Sequence, residues 1–527
     1  MSAAQIAEPP VHAYPRRWWM LLVLCLSVLL VTIDNTIVNV ALPTLSKDLK
    51  ASTSSLQWIV DAYTLVFAGL LLVAGHIGDR FGRKRVLQAG LVLFALTSIS
   101  AALASTTGQL IAGRAAMGVA AALIFPATLG MLSNIFTDAR ERATAIGIWS
   151  GISGLAVALG PVSGGALLEH FSWNSVFLIN VPLVVIALAA GWRLLPESQD
   201  SQPGAFDPVG AVGSIAAIGT LVWTVIEAPS HGWTSATTLI GFAVSALLLA
   251  GFVRWEIRRA HPLLDVRLFG NLRFSAASFA ITAAFFGLFG FIFLITQYFQ
   301  AVRGYGTLAA GVATLPFAIV TGALSPVAIV LMKRLGTTRV VALGLALMSS
   351  GFVLASGSAV DSAYWGRIVG SMMLMAAGLA LTAGPATDAV MGALPREKAG
   401  AGSAVNDTTR EIGGTLGVAV VGSMMSSLYG PHLASSLTAL GVPASAIDTA
   451  RESVVAGVTV AAQLPSGLAG PAGAAVREAF MDGLQAGSLI AATATGLAAV
   501  MVLVFLPARH REDVVVSEPA VAVPAAI

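Results

Sequence analysis

The chain has 527 residues, room for several soluble domains, yet 56% of them are hydrophobic and only 10% charged, with a mean hydropathy of +0.84. Soluble proteins carry about a quarter charged residues, so the composition excludes a soluble fold and leaves a polytopic membrane protein. The net charge of +3 sits in short loops, where it orients a membrane protein and gives no reason to expect nucleic acid as a partner. Cys25 is the single cysteine, so no intrachain disulfide can form.

Hydropathy predicts fourteen spans, at 18–41, 55–75, 86–104, 108–132, 143–167, 174–194, 207–227, 236–255, 272–297, 306–331, 339–358, 363–385, 402–428 and 484–506. The first is too long for a signal-peptide core and no small-residue cleavage site follows it, so it is expected to be retained. It also carries Asp34. Pro43 lies nine residues further on, which sets the carboxylate roughly 13 Å inside that end. An ionisable group at such depth costs ~2.5 kcal/mol or more and usually faces a cavity or a partner charge. An even number of spans puts both termini on one side. Placing them in the cytosol gathers Arg80, Arg83, Lys84, Arg85, Arg140, Arg142, Arg254, Arg258, Arg259, Lys333 and Arg334 inside, against Lys47, Lys50, Arg303, Arg367, Arg451 and Arg477 outside. The expected location is the inner (cytoplasmic) membrane.

Two loops recur. Arg80-Phe81-Gly82-Arg83-Lys84-Arg85-Val86 returns as Arg334-Leu335-Gly336-Thr337-Thr338-Arg339-Val340, and Arg140-Glu141-Arg142-Ala143 returns as Arg396-Glu397-Lys398-Ala399. The separations, 254 and 256 residues, agree, and Arg114 and Arg367 match at nearly the same offset. Two six-helix halves related in this way place a substrate site at their interface near the midplane. The expected division is a 1–17 tail, an 18–196 bundle, a 197–260 linker pair, a 261–506 bundle and a 507–527 tail. Within the second bundle, 429–483 reads as a long outer loop with one amphipathic helix from Ala446 to Val460.

Asp34, Asp61 and Arg114 lie at one predicted depth, since Asp61 and Arg114 each fall roughly 9 Å from the outer starts of their spans. Three such groups on three helices make a buried cluster with a net charge of −1. Arg does not titrate usefully, so the proton carrier is Asp34 or Asp61. The alternatives are a structural Asp34–Arg114 ion pair and an Asp61 that snorkels to the outer interface. Asp407, Arg410 and Glu411, at i, i+3 and i+4, share one helix face, with Glu411 roughly 14 Å deep. Either the two acids attract a cation from a cavity, or Arg410 neutralises one of them beside a vestibule. Among the aromatics, Tyr63 and Trp149 are the candidates for a cation–π pocket. Gly75 and Gly78 allow a close helix approach, and Gly160-Pro161 permits a kink.

Four stretches resemble the major facilitator superfamily, and within it the fourteen-helix drug:proton antiporters of the QacA/EmrB type. Asp34-Asn35-Thr36-Ile37-Val38-Asn39-Val40-Ala41-Leu42-Pro43 resembles that branch's first-helix signature, and Gly402 to Gly414 its helix-13 signature. Gly75-His76-Ile77-Gly78-Asp79-Arg80-Phe81-Gly82-Arg83-Lys84 is similar to the superfamily's loop 2–3 motif, and Gly160-Pro161-Val162-Ser163-Gly164-Gly165 to its exporter motif. Two departures are visible: Met117 stands three residues after Arg114 where the family usually has Gln, and no carboxylate occurs in 306–331. The resemblance implies an all-α major facilitator fold, two six-helix bundles related by a pseudo-two-fold axis with two inserted helices. It also implies export of hydrophobic, often cationic compounds, quaternary ammonium compounds among them, against protons by a monomer in the lipid bilayer, with no cofactor.

On that resemblance Asp34, Asp61 and Arg114 couple protons, while Asp34, Asp61, Glu411, Asp407, Tyr63 and Trp149 meet substrate. Gly75, Gly78, Asp79, Arg80, Gly82, Arg83, Gly160, Pro161, Gly164, Gly165 and Arg410 form gating hardware. In the family the acid at Asp79 holds the cytosolic side closed by pairing with a helix N-terminus and nearby arginines. The cargo is left open between drugs and an endogenous metabolite, lipid or siderophore, and a non-transporting sensor or assembly platform is a further alternative. An enzyme is disfavoured, because G-x-x-x-x-G-K-[ST], H-E-x-x-H and G-x-S-x-G are all missing.

Overall fold

The computed structural model describes residues 14–199, 207–259, 262–393 and 399–506. In chain order the helices are α1 (Arg17–Asp48), α2 (Thr53–Phe81), α3 (Arg83–Ala102), α4 (Thr107–Ile135), α5 (Ala139–His170), α6 (Ser175–Leu178), α7 (Asn180–Leu194), α8 (Pro208–His231) and α9 (Ala236–Arg258). They continue with α10 (Leu272–Gln297), α11 (Thr307–Val312), α12 (Leu315–Leu335), α13 (Thr337–Ser356), α14 (Val369–Gly392), α15 (Ala399–Ala439), α16 (Ala444–Arg451), α17 (Val454–Gln463) and α18 (Ser466–Phe505). Among the described residues, thirteen helical stretches are long and apolar enough to cross a membrane, and α5, with 32 residues, is a further long helix.

Short polar residues start these helices. Ser52, Thr106, Ser235 and Asn271 each accept a backbone N–H from the first turn of α2, α4, α9 and α10, satisfying donors that lipid cannot. Glycine makes the sharpest joints. Gly82, between α2 and α3, has φ +103°, and Gly336, between α12 and α13, has φ +83°, a region L side chains rarely adopt. The repeated loop therefore has one backbone geometry in both copies. The other repeat falls partly on 396–398, outside the described residues, as do the tails 1–13 and 507–527.

Two groups of helices result. In one, α1 packs on α4, α5 and α7, and α4 on α2 and α3; in the other, α10 packs on α14, α15 and α18, and α13 on α14 and α18. Helices α8 and α9 pair with each other, and α8 also lies against α2 of the first group and α15 of the second. The groups meet through α2 with α15, and through α5 with α11 and α12.

The region expected as a loop over 429–483 is instead helical. Helix α15 runs on to Ala439, and α18 already begins at Ser466. The single helix expected over 446–460 is two: α16 ends at Arg451, and Ser453 caps α17 by accepting the Ala456 N–H. These pieces cap one end of the molecule, the end bearing Ser46, Thr53 and Ser453. Arg83 lies at the other.

Candidate functional site

Asp34 sits mid-way along α1 and is fully buried. Arg114 of α4, also fully buried, donates from Nη1 to Asp34 Oδ2 at 2.5 Å, and Asn180 of α7 donates from Nδ2 to Asp34 Oδ1 at 2.8 Å. Both oxygens of the carboxylate are thus engaged by donors. Asn180 also donates to Ser98 of α3 at 3.2 Å, so four helices converge on one acid. The guanidinium is fixed further: Nε donates to the Ile59 carbonyl at 3.0 Å, and the group lies 4.2 Å over the Tyr63 ring. A desolvated cation over an aromatic face is worth about 2 kcal/mol. Tyr63 in turn donates to the Val31 carbonyl of α1 at 3.2 Å.

From Tyr63 an aromatic ladder runs through Phe67 and Phe125 to Trp149, with centroids 6.0, 5.7 and 5.2 Å apart. Trp149 donates to Thr128 at 3.2 Å and is 7% exposed. The two aromatics singled out in sequence therefore terminate one buried wall linking α2, α4 and α5.

Asp61 is not part of this cluster. Among the described residues it makes no hydrogen bond or ion pair with Asp34 or Arg114 through its side chain, and neither carboxylate oxygen has a hydrogen-bond partner. It does not snorkel to an interface either, being fully buried. The reason is azimuth. Tyr63 points at Arg114, and a residue two positions earlier lies about 200° around the helix. Asp61 instead lies beside the surface that meets α15. One turn before it, Gln57 donates to the Val418 and Ala419 carbonyls at 3.1 and 2.9 Å; one turn after, Thr64 pairs with Thr415 at 2.9 Å.

The acidic patch lies further along α15, with Arg410 turned toward α10 and α14. Arg410 is 4.0 Å from Asp407, donates to Thr387 of α14 at 3.0 Å, and lies 5.4 Å over the Phe285 ring. Asp407 accepts from Asn406 at 3.3 Å, whereas Glu411 Oε2 is buried with no hydrogen-bond partner. Arg410 thus serves Asp407. Glu411 stands one turn before Thr415, which pairs with Thr64 of α2.

The gating motifs divide between the two ends. At the Arg83 end, Arg83 donates from Nε to Asp79 at 2.8 Å and from Nη1 to the Gly130 carbonyl of α4 at 3.2 Å. Arg83 is thus the partner shown for Asp79; the helix N-terminus expected to join it is not seen among the described residues. Arg80 is exposed and covers Phe81, 5.7 Å from its centroid. Gly75 leaves room, since an added Cβ would stand 3.6 Å from Pro126, and Gly78 likewise meets only Arg83 at 3.8 Å. The tight α2–α4 approach is made by Gly118, where a Cβ would come 2.5 Å from the Tyr63 carbonyl oxygen.

The Gly160–Gly165 motif is a two-sided clamp. A Cβ on Gly160 or Gly164 would strike Thr36 Oγ1 at 1.9 Å or Ile37 Cγ1 at 2.7 Å on α1. A Cβ on Gly165 would strike the Thr307 carbonyl of α11 at 2.6 Å, and one on Gly311 the Pro161 carbonyl at 2.3 Å. Hydrogen bonds joining the two groups gather around this clamp and toward Ser46. Gln300 donates to the Val40 carbonyl at 2.9 Å, Thr307 to the Gly165 carbonyl at 3.1 Å, and Thr53 to the Glu452 carbonyl at 3.1 Å, while Ser46 and Ser453 are 2.6 Å apart.

Asn180 and Gln57 were missed by sequence reasoning. Each is an amide within a predicted apolar span, the same signal that singled out Asp34 but without a charge.

The chain matches the family model of the Major Facilitator Superfamily over residues 24–418. It is 37% identical over 503 residues to the multidrug efflux pump LfrA of Mycolicibacterium smegmatis, covering 95% of this chain and 99% of that protein. The methyl viologen resistance protein SmvA of Salmonella typhimurium is 36% identical over 453 residues, 85% of this chain and 90% of the relative. Among solved structures, an inward-facing, unoccupied bacterial homologue of the human lysosomal transporter Spinster superposes with a TM-score of 0.65 at 19% identity, over 93% of this chain and 98% of that one. The chain belongs to the major facilitator superfamily, and is a transporter rather than an enzyme.

Proposed function

We propose that the protein is a proton-coupled multidrug efflux antiporter that exports hydrophobic, often cationic compounds by alternating access between bundles 18–196 and 261–506. The observation that carries the reading is the fully buried Asp61 carboxyl group on α2, neither oxygen of which has a hydrogen-bond partner among the described residues, together with the buried, unpartnered Oε2 of Glu411 on α15. An anion there has no donor to offset its desolvation, so a proton or a cationic substrate has reason to bind, and each displaces the other. Asp34, held by Arg114 and Asn180, orders the wall that carries Tyr63 and Trp149. It exchanges its own proton only when that network opens. The names of the relatives support drug efflux. The missing acid in 306–331 argues against dications, whereas the likeness to a methyl viologen resistance protein argues for testing one.

Loop charge favours the Ser46 end as the extracytosolic one, with both termini in the cytosol of the cell membrane. The tied Ser46 end then gives a conformation closed to the outside. The deciding measurement is substrate-induced proton release from purified protein, with a lipophilic dye cation and methyl viologen as substrates. Asp34→Asn and Asp61→Asn are expected to abolish release, and Glu411→Gln to change which substrate elicits it. Undiminished release in both Asp variants would refute the reading. A panel that adds lipids and siderophores separates drug export from metabolite export.

A further inference from the structure

Asp61 has a third neighbour besides its own helix and α15. On α2, Ser54 and Trp58 donate to Glu227 Oε1 of α8 at 2.9 and 3.4 Å. Lower on the same face, a Cβ on Gly219 would touch Leu65 at 3.6 Å, and one on Gly69 would meet Ile215 at 2.5 Å. Positions 54, 58, 65 and 69 therefore face α8, while 57 and 64 face α15. At about 100° per residue, 61 falls between the two faces. The surroundings at that junction are apolar: Val222, Val225 and Ile226 of α8 pack with Ala419, Trp58 and Leu65. The inserted helix thus lies over the α2–α15 seam and keeps lipid from Asp61.

Glu227 stands at the mouth of this compartment. Its Oε1 is turned to Ser54 and Trp58, while Oε2 accepts from the exposed Ser230 at 3.4 Å, beside the exposed His231 at the helix end. Ser54 and Asp61 are separated by about 10 Å along α2. Between them Gln57 presents a buried Oε1 with no hydrogen-bond partner. We propose that α8 is the third wall of the Asp61 compartment and that Glu227 is the station through which protons pass between Asp61 and the aqueous face at the Ser46 end. In the transfer an O–H bond breaks on Glu227 and one forms on Asp61, with water admitted beside the unpartnered Gln57 Oε1 passing the proton when the Ser46 end opens. Glu227 then takes a proton from bulk water. This rests on the proton-coupled reading above and assigns a task to the inserted helices.

The test uses the full chain in proteoliposomes with an enclosed pH-sensitive dye and a lipophilic dye cation as substrate. Gradient-driven transport is compared with substrate exchange at equal pH on both sides, which needs no net proton passage. In Glu227→Gln, driven transport is expected to fall about ten-fold or more while exchange stays near the wild-type rate, and Glu227→Asp restores part of the loss. Driven transport at the wild-type rate in Glu227→Gln overturns the proposal. So does an equal loss of driven transport and exchange, the mark of a merely structural contact. Wild-type protein that moves no protons with substrate overturns the antiport reading itself, whereas a wild-type response with an unaffected Glu227→Gln overturns only the relay.

Discussion

Arg114→Met, alone and combined with Asp34→Asn, separates what holds the first group of helices together from what moves protons. Arg114 supplies one of the two donors to Asp34, at 2.5 Å, and both side chains are fully buried. Removing it strands a carboxylate held by Asn180 alone, and breaking a buried pair on one side typically costs about 3–5 kcal/mol. The lost bond to Ile59 adds about 1 kcal/mol. Asp34→Asn removes the stranded charge and nothing else, so the double variant is expected to be about 3 kcal/mol more stable than Arg114→Met. Thermal inactivation of purified protein in detergent ranks the variants: wild type first, the double variant second, Arg114→Met last. Transport is expected to be missing in the double variant although the fold has returned. A double variant that melts at or below Arg114→Met would refute the reasoning, because the Asp34 charge would then find other compensation.

The seal at the Ser46 end predicts that Ser46→Cys with Ser453→Cys, in a Cys25→Ala background, forms a disulfide on oxidation, since the two hydroxyls are 2.6 Å apart. The cross-link should stop transport, and reductant should restore it; a cross-linked protein that still transports excludes opening at that end. Gly311→Val drives a Cβ to 2.3 Å from the Pro161 carbonyl and is expected to cost about 1–3 kcal/mol. Faster labelling of a cysteine at Ser46 would report the end prised open, and unchanged labelling would exclude it. Asn180→Leu removes the 2.8 Å donor to Asp34, a charge-assisted bond worth about 1.5–3 kcal/mol. It should lower thermal stability by that amount, and a change near zero would show that another donor replaces it.

The fold was legible because lipid leaves few choices. Apolar runs of the right length must be helices, and Gly82 and Gly336 show that the repeated loop carries one backbone conformation twice. That Asp34 and Arg114 lie at one level was legible from depth alone. The position of Asp61 was not, because depth fixes height along a helix but not the direction a side chain points. Asp61 and Tyr63 are two residues apart and face different neighbours, and nothing local tells which neighbour each has. The helices over 429–483 were missed for another reason. Hydropathy falls where the chain leaves lipid, but alanine-rich sequence remains helical in water, so the limit of a span was mistaken for the end of a helix.

The placing of charge bears on which bonds a transport cycle can break. Asp34 and Arg114 both lie within the first group of helices, so a rocking motion that keeps that group rigid leaves their bond intact. The bonds between the groups are of another kind: Ser46 with Ser453, Thr307 with Gly165, Gln57 with Val418 and Thr64 with Thr415 join neutral groups. Each is worth about 1 kcal/mol net, and water offers every one of them a replacement partner when the end opens. An ion pair across the seam would cost several times more to part. Asp61 and Glu411 have no guanidinium bound to them among the described salt bridges. On the proton-coupled reading proposed above, neutralising them with a proton or a cation would shift the balance between open and closed without an ion pair having to part, which is how an ion gradient would drive the motion.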